Sequence, residues 1–302
     1  MLYISPRIRR LIDMAIEEDD VGFDVASAVF FSGGSAGGHQ AEVVDARLVA
    51  KQDLTLAGVA MVDAVFERVD PALKWTFDFS DGELVRRGEV IGRARGRAIS
   101  ILRAERIALN FLQRMSGIAT HTATYVAALG ESTTRILDTR KTLPGYRELD
   151  KYAVRCGGGM NHRFSLSAGV MLKDNHLAAA GGDIAEAVRR VREQAPPTLK
   201  IEVEVSDLAE LQLALEAAAD IIMLDNMSTE MMAEAVLIVD EFCKNQRSGA
   251  VSAAGLRRHI ALEASGNITL ERLPELADLG LDYISSGALT HSVEAADISL
   301  KF

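Results

Sequence analysis

The sequence predicts an α/β protein in which a β-rich first third precedes a run of alternating strands and helices. In the first third, segments that suit strands are separated by turn signals such as Asp81-Gly82. From residue 135 onward, six strand-like segments alternate with helical segments over short connections. Six βα repeats are typical of parallel strands, wound either as a barrel or as an open sheet, and we favour a barrel, complete or nearly so.

The first third contains four predicted strands, with a short helix, VAMVDAVFERV (59–69), between the second and the third. An amphipathic helix is expected at the N-terminus, because Ile8, Leu11, Ile12 and Ala15 fall on one stripe. The stretch SGGSAGG (32–38) has the composition of a loop. The predicted strands are AEVVDARLVA (41–50), LTLAG (54–58), LKWTFDF (73–79) and EVIGRARGRAISIL (89–102).

A long helical pattern, residues 102–129, is expected to connect two domains. Behind it, each apolar strand-like run is followed by an amphipathic segment, and the last run leads into the C-terminal tail. The six predicted strands are RILDT (135–139), GVMLK (169–173), LKIEVEV (199–205), DIIMLDN (220–226), HIALEAS (259–265) and DYISSG (282–287). The predicted helices between them are 147–156, 183–195, 207–218, 229–242 and 269–280.

Bulk composition narrows the classes of function. The 302 residues carry a formal net charge of −10 and a pI near 5.2, which argues against a nucleic-acid surface or an anionic membrane as partner. Two cysteines cannot build a disulfide framework, and no apolar run approaches the length of a membrane span. We therefore expect a cytoplasmic protein.

A basic window stands out against this acidic background. Between Arg135 and Lys173 there are eight Lys or Arg residues and three acids. Part of the run, at positions 147, 151 and 155, recurs every four residues as one exposed helix stripe would. The remainder predicts a small anionic ligand, and its members are Arg140, Lys141, His162, Arg163 and Lys173.

Chemically capable side chains recur where the apolar runs end. In a β/α barrel the carboxyl ends of the strands meet at one mouth, where active sites lie. Lys141, Lys173, Glu204, Asp225, Glu263 and the Ser285-Ser286 pair fall at these positions. The alternative for any single residue is that its charge is paired across the barrel and serves only structure.

The expected mouth has two electrostatic halves. The cationic half suits a ligand with several carboxylates or phosphates, since Arg gives forked hydrogen bonds and Lys a movable charge. The anionic half, Glu204 and Asp225 with Glu202 and Glu263 as further candidates, suits sugar hydroxyls or Mg²⁺. The turns ASGN (264–267) and SSGA (285–288) favour a phosphate site, whereas the glycines at 157–159 are expected to end a helix.

Long ordered motifs give the sequence a resemblance to a known family. The stretches ERIALNFLQRMSGIAT, ILDTRKTLPGYRELDKYAVRCGGGMNHR, MLKDNH, IEVEV, IIMLDN, LEASGNI and SSGALTHS resemble quinolinate phosphoribosyltransferases, also called nicotinate-nucleotide pyrophosphorylases (carboxylating). The resemblance runs from about residue 100 to 292. It implies an N-terminal α/β sandwich (1–115) and a C-terminal incomplete, TIM-like α/β barrel (116–302), with the last residues packing back on the first domain.

The resemblance also implies a reaction and residues for it. The family joins quinolinate to phosphoribosyl pyrophosphate with loss of CO₂, uses Mg²⁺, and works as a dimer or larger assembly. Lys141, Lys173, Glu204 and Asp225 match its catalytic positions, the last two as candidate metal ligands. The other matching substrate-binding positions are Arg140, His162, Arg163, Ser265, Gly266, Ser286 and Gly287, and Arg106 matches an arginine supplied by the neighbouring subunit.

Two departures from the family pattern and three competing interpretations accompany this assignment. The chain reads GFDVAS near the N-terminus where the family shows Gly-Asp-x-Thr, and the segment around 245–260 is longer than usual. The nearest rival is a molybdenum-transport-associated relative with a different phosphoribosyl acceptor. A non-catalytic phosphosugar-binding protein and a Schiff-base aldolase are the others. The full strings KYAVRCGGGMNHR and MLKDNH favour the quinolinate enzyme over the nearest rival, and the intact charged set at the mouth argues against a non-catalytic protein.

Overall fold

A computed structural model describes residues 1–26, 29, 43–179, 181–248 and 260–302. The predicted SGGSAGG loop lies outside the described residues, as do residues 249–259 of the long segment near 245–260. The described chain divides into two compact units built from segments distant in sequence. Unit 1 contains Met1–Ala123, Thr142–Gly158 and Ala288–Phe302, and unit 2 contains Thr124–Lys141 and Gly159–Gly287. The domain boundary expected between residues 115 and 116 stays a prediction.

Unit 1 is built on an antiparallel sheet. Its strands are β1 (Val43–Ala50), β2 (Leu54–Thr55), β3 (Trp75–Phe77), β4 (Leu84–Val85), β5 (Val90–Arg97) and β12 (Ile298–Lys301). Four of them form one sheet in the order β12-β1-β5-β3, while β2 pairs with β4. In β1 the residues Ala46, Leu48 and Ala50 are buried and their neighbours are more exposed, which is the alternation expected of a half-buried strand.

The helices of unit 1 follow the predicted pattern with one correction. They are α1 (Pro6–Glu18), α2 (Val59–Val69), the first part of α3 (Ala98–Ala128), α4 (Arg147–Cys156) and α10 (Ala288–His291). The prediction that AISIL (98–102) extends a strand is wrong, because α3 begins at Ala98. Ile101, Ala104 and Ala108 are all buried, so the apolar spacing there is three to four residues rather than two.

Residues 142–158 belong to unit 1, and their core contacts explain why. The buried Asp150 accepts two hydrogen bonds from the Arg114 guanidinium of α3, at 3.1 and 3.0 Å. Tyr146 stacks on Phe111 with ring centroids 5.6 Å apart. The prediction that Arg147, Lys151 and Arg155 form one exposed stripe is wrong for Lys151, which is fully buried because α4 packs most of its circumference into unit 1.

Glycine ends α4 as predicted. Gly157 caps the helix, and a Cβ at this position would overlap the carbonyl oxygen of Ala119 in α3. Gly158 has a φ of +87°, the left-handed conformation that favours glycine. The close approach and the turn together require the glycine pair, and the chain passes there from unit 1 back to unit 2.

Unit 2 is a six-stranded parallel sheet of the incomplete barrel type. Its strands, joined in the order β6-β11-β10-β9-β8-β7, are β6 (Arg135–Leu137), β7 (Val170–Leu172), β8 (Ile201–Val205), β9 (Ile221–Asp225), β10 (Ala261–Ser265) and β11 (Tyr283–Ser285). The helices are α5 (Asp174–Ala179), α6 (Ile184–Gln194), α7 (Leu208–Glu216), α8 (Thr229–Ser248) and α9 (Leu273–Ala277).

The barrel stays open between β6 and β7, the two edge strands of the sheet. Within the described residues β6 and β7 do not pair with each other, and Met160 forms a parallel bridge with Leu137 on the free edge of β6. The expectation of a barrel is therefore confirmed in its incomplete form. Within the described parts of the chain, no helix combines the length and apolarity that crossing a membrane requires.

Candidate active site

The polar residues predicted at the strand ends lie along one edge of unit 2. The strands are parallel, so their carboxyl ends share that edge. The two outer strands, β6 and β7, lead into cationic residues, and the four inner strands end in acids or Ser-Gly turns. In sheet order the residues are Arg140 and Lys141 after β6, Ser286 and Gly287 after β11, Ser265 and Gly266 at β10, Asp225 at β9, Glu204 at β8 and Lys173 after β7.

Lys173 and Glu204 form an ion pair between neighbouring strand ends. Lys173 Nζ donates to Glu204 Oε2 at 2.6 Å, and the side chains are 43% and 13% exposed. His176 fixes the turn behind the lysine, because its Nδ1 accepts a hydrogen bond from the Lys173 N–H at 3.2 Å. A half-exposed lysine held by a partly buried carboxylate can exchange that partner for an anionic ligand.

Arg163 lies in the gap between β6 and β7. Its guanidinium donates to the Gly169 carbonyl at 2.9 Å and approaches Met171 Sδ at 3.6 Å. Burial lowers the pKa of Arg163, and the positive charge of Arg140 lowers it further, while Glu202 acts in the opposite direction. Two guanidinium groups that raise each other's energy in this way favour the arrival of an anion between them.

Asp138 was not singled out in the sequence, although it organises the basic loop. Its carboxylate has no exposed surface, accepts the Asn161 amide at 2.6 Å and accepts the His162 N–H at 2.9 Å. These bonds tie residues 161–163 to the end of β6. In the sequence Asp138 is visible as a single acid after an apolar strand, and this pattern does not distinguish a structural anchor from a ligand group.

Asp225 is oriented by a polar cluster at the ends of β9 and β10. Asn226 donates from its side chain to Asp225 Oδ2 at 2.6 Å and from its backbone to the Ser265 carbonyl at 2.9 Å. Asn267 donates to Asn226 Oδ1 at 3.1 Å. Gly266, at φ +81°, has no room for a Cβ, which would overlap Asn226 Oδ1. Asn226 and Asn267 are orienting residues that the sequence motifs contained but did not identify.

The second Ser-Gly turn differs from the expectation of free backbone donors. The Ser286 N–H donates to the Leu137 carbonyl at 3.0 Å, so this amide joins β11 to β6 rather than pointing at a ligand. Ser286 is buried, and its hydroxyl interacts with Tyr125. The parallel pairing of the two strands thus extends one residue beyond the end of β11, and the phosphate site expected at this turn stays a prediction.

Glu202 and Glu263 lie below the mouth, not on it. Their residues are 3% and 1% exposed, and both point at His162 Nε2. Glu263 occupies the middle of β10, so its expected place at a strand end is wrong. Burial and the charge of Glu202 raise the pKa of Glu263 to about 8, against the smaller opposing effects of His162, Ser285 and Lys173. His162 and the two acids also line a cavity of ≈ 440 Å³ that reaches Lys200 and Tyr283.

Arg106 belongs to unit 1. It lies on an exposed face of α3, between the buried residues Ala104 and Ile107. Arg106 is thus exposed on a long helix, whereas Arg163 is held in the gap of unit 2 by its bond to the Gly169 carbonyl.

The donor set at β8 and β9 fits Mg²⁺. Glu204 and Asp225 offer carboxylate oxygens, the ligands that this ion prefers, from adjacent strands at the same edge. Neither side chain is fully buried, so both leave room for water and for phosphate oxygens in the rest of the coordination shell.

Known proteins similar to the chain cover almost its whole length. Residues 20–116 match the family described as "Quinolinate phosphoribosyl transferase, N-terminal domain", and residues 118–301 match its C-terminal domain. A probable nicotinate-nucleotide pyrophosphorylase (carboxylating) of Bacillus subtilis is 40% identical over 294 residues, 97% of this chain and 93% of the relative. A chloroplastic nicotinate-nucleotide pyrophosphorylase (carboxylating) of Arabidopsis thaliana is 44% identical and covers 85% of this chain and 74% of its own.

Solved structures agree with this match. NadC from Streptococcus pyogenes is 38% identical with a TM-score of 0.87, covering 100% of this chain and 98% of its own. The nicotinate-nucleotide pyrophosphorylase from Francisella tularensis is 34% identical with a TM-score of 0.84, covering 98% and 97%. Both domains, the parallel unit with its charged edge and the ordered motifs therefore lead to one conclusion: the chain belongs to the quinolinate phosphoribosyltransferase family.

Proposed function

We propose that the protein transfers the phosphoribosyl group of phosphoribosyl pyrophosphate to quinolinate, giving nicotinate mononucleotide, CO₂ and pyrophosphate. It is a pentosyltransferase of pyridine-nucleotide biosynthesis. The observation that carries this function is the sorting of charge along the edge of unit 2, with cations at the β6–β7 gap and carboxylates on β8 and β9. Each half suits one part of the substrate pair.

The cationic half receives the acceptor. Quinolinate carries two carboxylates, and phosphoribosyl pyrophosphate adds several more negative charges, so the two substrates repel each other. Arg140, Arg163 and Lys173 offset that repulsion from the β6 and β7 sides, and Lys141 joins them from the loop after β6. Bringing the two anions together in a fixed geometry supplies most of the rate enhancement, since no enzyme nucleophile is required.

The transfer step forms one bond and breaks another. The pyridine nitrogen forms a bond to the sugar C1 as the bond from C1 to the pyrophosphate oxygen breaks. Positive charge develops on the sugar during this exchange, and the carboxylates of Glu204 and Asp225 face it from β8 and β9. The turns at Ser265-Gly266 and Ser286-Gly287 lie beside them on β10 and β11, and they hold the 5′-phosphate.

Decarboxylation follows from the alkylated nitrogen. The ring nitrogen is then positive, so it stabilises the electron pair that stays on C2 when the 2-carboxylate departs as CO₂. A proton then replaces the carboxylate on C2. Lys141 and Lys173 hold the departing carboxylate in place until the bond breaks.

Mg²⁺ is the proposed cofactor, held by Glu204 and Asp225 directly or through water. When bound, it offsets the charge of the leaving pyrophosphate. We further propose a cytoplasmic homodimer in which Arg106 reaches the site of the neighbouring subunit.

The test is release of labelled CO₂ from quinolinate labelled at its 2-carboxylate. Release is expected only when phosphoribosyl pyrophosphate and Mg²⁺ are both present, and addition of EDTA should abolish it. Binding of both substrates without release would point to a phosphosugar-binding protein. Consumption of phosphoribosyl pyrophosphate only with a different acceptor would point to the molybdenum-transport-associated relatives.

A further inference from the structure

A buried cluster lies beneath the mouth and is not used by the proposed chemistry. His162 Nε2 lies 3.2 Å from Glu202 Oε2 and 3.6 Å from Glu263 Oε2. One nitrogen of His162 and one carboxylate oxygen from each glutamate lie within 4.8 Å of one another. The His162 side chain is 12% exposed, and the two glutamate side chains are 4% and 1% exposed. A histidine and two acids this close hold either a metal ion or a proton.

The hydrogen bonding of His162 favours the proton. The backbone N–H of Arg163 donates to His162 Nδ1 at 2.7 Å, so the lone pair of that nitrogen is engaged. In a neutral imidazole the other nitrogen then carries the hydrogen, and Nε2–H points at Glu202. A protonated Nε2 has no lone pair to offer a metal ion. The cluster therefore presents one N–H to two carboxyl groups.

The charges around Glu263 lead to the same result. Glu202 on β8 and Glu263 on β10 would repel each other if both were ionised in a buried site. His162 and Lys173 act on Glu263 in the opposite direction, but their effects are smaller than that of Glu202, and Lys173, beyond β7, is bonded to Glu204. Ser285, on the adjacent strand β11, is a further neighbour that lowers the pKa of Glu263, with a smaller effect than burial. A raised pKa of about 8 for Glu263, caused first by burial and then by Glu202, agrees with one retained proton.

We propose that Glu202 and Glu263 are positioning residues for the acceptor half of the site: Glu263 retains a proton, and the two side chains hold the Nε2–H of His162. This inference rests on the proposed function. The backbone of His162 is held by Asp138 and its ring by the glutamates, so residue 162 is fixed from both sides. Arg163 follows directly in the chain, and the positive charge of Arg140 acts on its guanidinium. The pair thus fixes where the acceptor's carboxylates meet their arginines.

The proposal makes a distinction between two substitutions of Glu263. A neutral amide in Glu263→Gln keeps the shape and the neutral state of a protonated carboxyl, whereas Glu263→Ala removes the partner of His162. We expect Glu263→Ala to raise KM for quinolinate about tenfold, as loss of one buried hydrogen-bond partner does, with KM for phosphoribosyl pyrophosphate changed far less. Glu263→Gln should restore most of that loss. Glu275→Gln, an exposed acid of unit 2 on α9, is the matched control.

Two readouts do not depend on the proposed reaction. Infrared difference spectra of wild type against Glu263→Gln should show the C=O stretch of one protonated carboxyl in the wild type at pH 6.5. Nitrogen-15 spectra of labelled histidine, assigned with His162→Gln, should show the Nε2–H tautomer in both wild type and Glu263→Gln. These measurements decide the proton and the tautomer even if Glu263→Ala does not fold or the protein uses another acceptor.

Three results would overturn the proposal. One is a Glu263→Gln variant as impaired as Glu263→Ala, which would require an ionised Glu263. Another is an equal rise in KM for both substrates, which would mean a general loss of structure. The third is a stoichiometric metal ion that is present in the wild type and lost in Glu263→Ala.

Discussion

Arg163 illustrates how one side chain can be assigned to one substrate. It is partly buried in the β6–β7 gap, and its pKa is lowered by burial and by Arg140, so its charge is poorly satisfied until an anion arrives. We expect Arg163→Ala to weaken quinolinate binding by on the order of 2–5 kcal/mol, the cost of removing one partner of a buried charged pair. Binding of phosphoribosyl pyrophosphate, measured by calorimetry with the same protein, should change far less.

The control for Arg163 is an arginine of the same unit that faces solvent. Arg190 on α6 is 64% exposed and, among the described residues, pairs with a helix neighbour, Glu186, in an interaction of little energetic value. Arg190→Ala should leave both affinities unchanged. Equal losses for the two ligands in Arg163→Ala would contradict the assignment of this side chain to the acceptor.

Glu263 predicts a pH dependence of stability. Its pKa is about 8 in the folded protein and its ordinary value is 4.5, so the folded state retains a proton that the unfolded state loses. The stabilising effect of this retained proton is complete below pH 4.5 and is lost as the pH rises to about 8. Urea unfolding from pH 5 to 8 should show the free energy of unfolding of wild type falling relative to Glu263→Gln. Parallel curves for the two proteins would exclude a retained proton.

At this scale the sequence predicted residue types better than residue roles. The cations and carboxylates of the mouth occupy the expected strand ends because the period of βα repeats can be read directly from hydrophobicity. Lys151 was assigned to an exposed helix stripe and Asp138 was not singled out. Both are buried, because partner side chains that offset a buried charge come from distant segments. Glu263 follows an apolar run, as the residues at the mouth do. The strand register shows that it lies level with Met223, two residues before the strand ends at Ser265 and Asp225.

The turn after β10 shows how an element positions a side chain on its neighbour. Gly266 has φ +81°, and a Cβ there would overlap Asn226 Oδ1. That oxygen accepts a hydrogen bond from Asn267, and the amide nitrogen of Asn226 donates to Asp225 and orients it. The overlap in Gly266→Ala should therefore displace Asp225 and weaken phosphoribosyl pyrophosphate binding about tenfold or more. The strained φ should in addition cost about 1–2 kcal/mol of stability. Titration calorimetry with Mg²⁺ and phosphoribosyl pyrophosphate measures this directly.

Gly280 separates the strain of the backbone from the loss of the site. It has nearly the same φ, +83°, but a Cβ there would meet only Val236 Cγ1 at an ordinary 3.8 Å, and it precedes β11 at the opposite end of the sheet. Gly280→Ala should lose a similar stability and keep its affinity. A matching loss of affinity in both variants would mean that Gly266 acts through overall stability alone.

The order of helices and strands was predictable almost throughout, because each repeat contains its own apolar run and its own amphipathic stripe. The error at residues 98–102 has a physical cause: AISIL is equally apolar whether it is read with a period of two or of three to four. The helical period becomes visible only further along the chain, where Ala104 and Ala108 are buried at the spacing of a helix face. The two-residue strands β2 and β4 are similarly set by their pairing, since two residues carry no period of their own.

At the scale of the whole molecule, the basic motif is shared between two compact units. Arg140, Lys141, His162 and Arg163 belong to unit 2, while residues 142–158 between them belong to unit 1. From the sequence, this stretch was interpreted as one continuous basic window. Its interior is instead fixed in unit 1 by Arg114, Asp150 and Tyr146, which leaves the two ends to serve the site.

The proposed dimer predicts that two inactive variants can restore each other. If each site uses its own Lys173 and the neighbour's Arg106, a hybrid of Arg106→Ala and Lys173→Ala subunits contains one intact site and one doubly damaged site. An equal mixture, unfolded and refolded together, should then regain about one quarter of wild-type CO₂ release, because half of the dimers are hybrids and half of their sites are intact. The matched control mixes Lys173→Ala with Glu204→Gln, whose side chains pair within one chain at 2.6 Å, so no hybrid site is whole. No recovery in the first mixture would show that Arg106 serves the site of its own subunit. Recovery in the control as well would mean that the regained activity does not come from sharing Arg106.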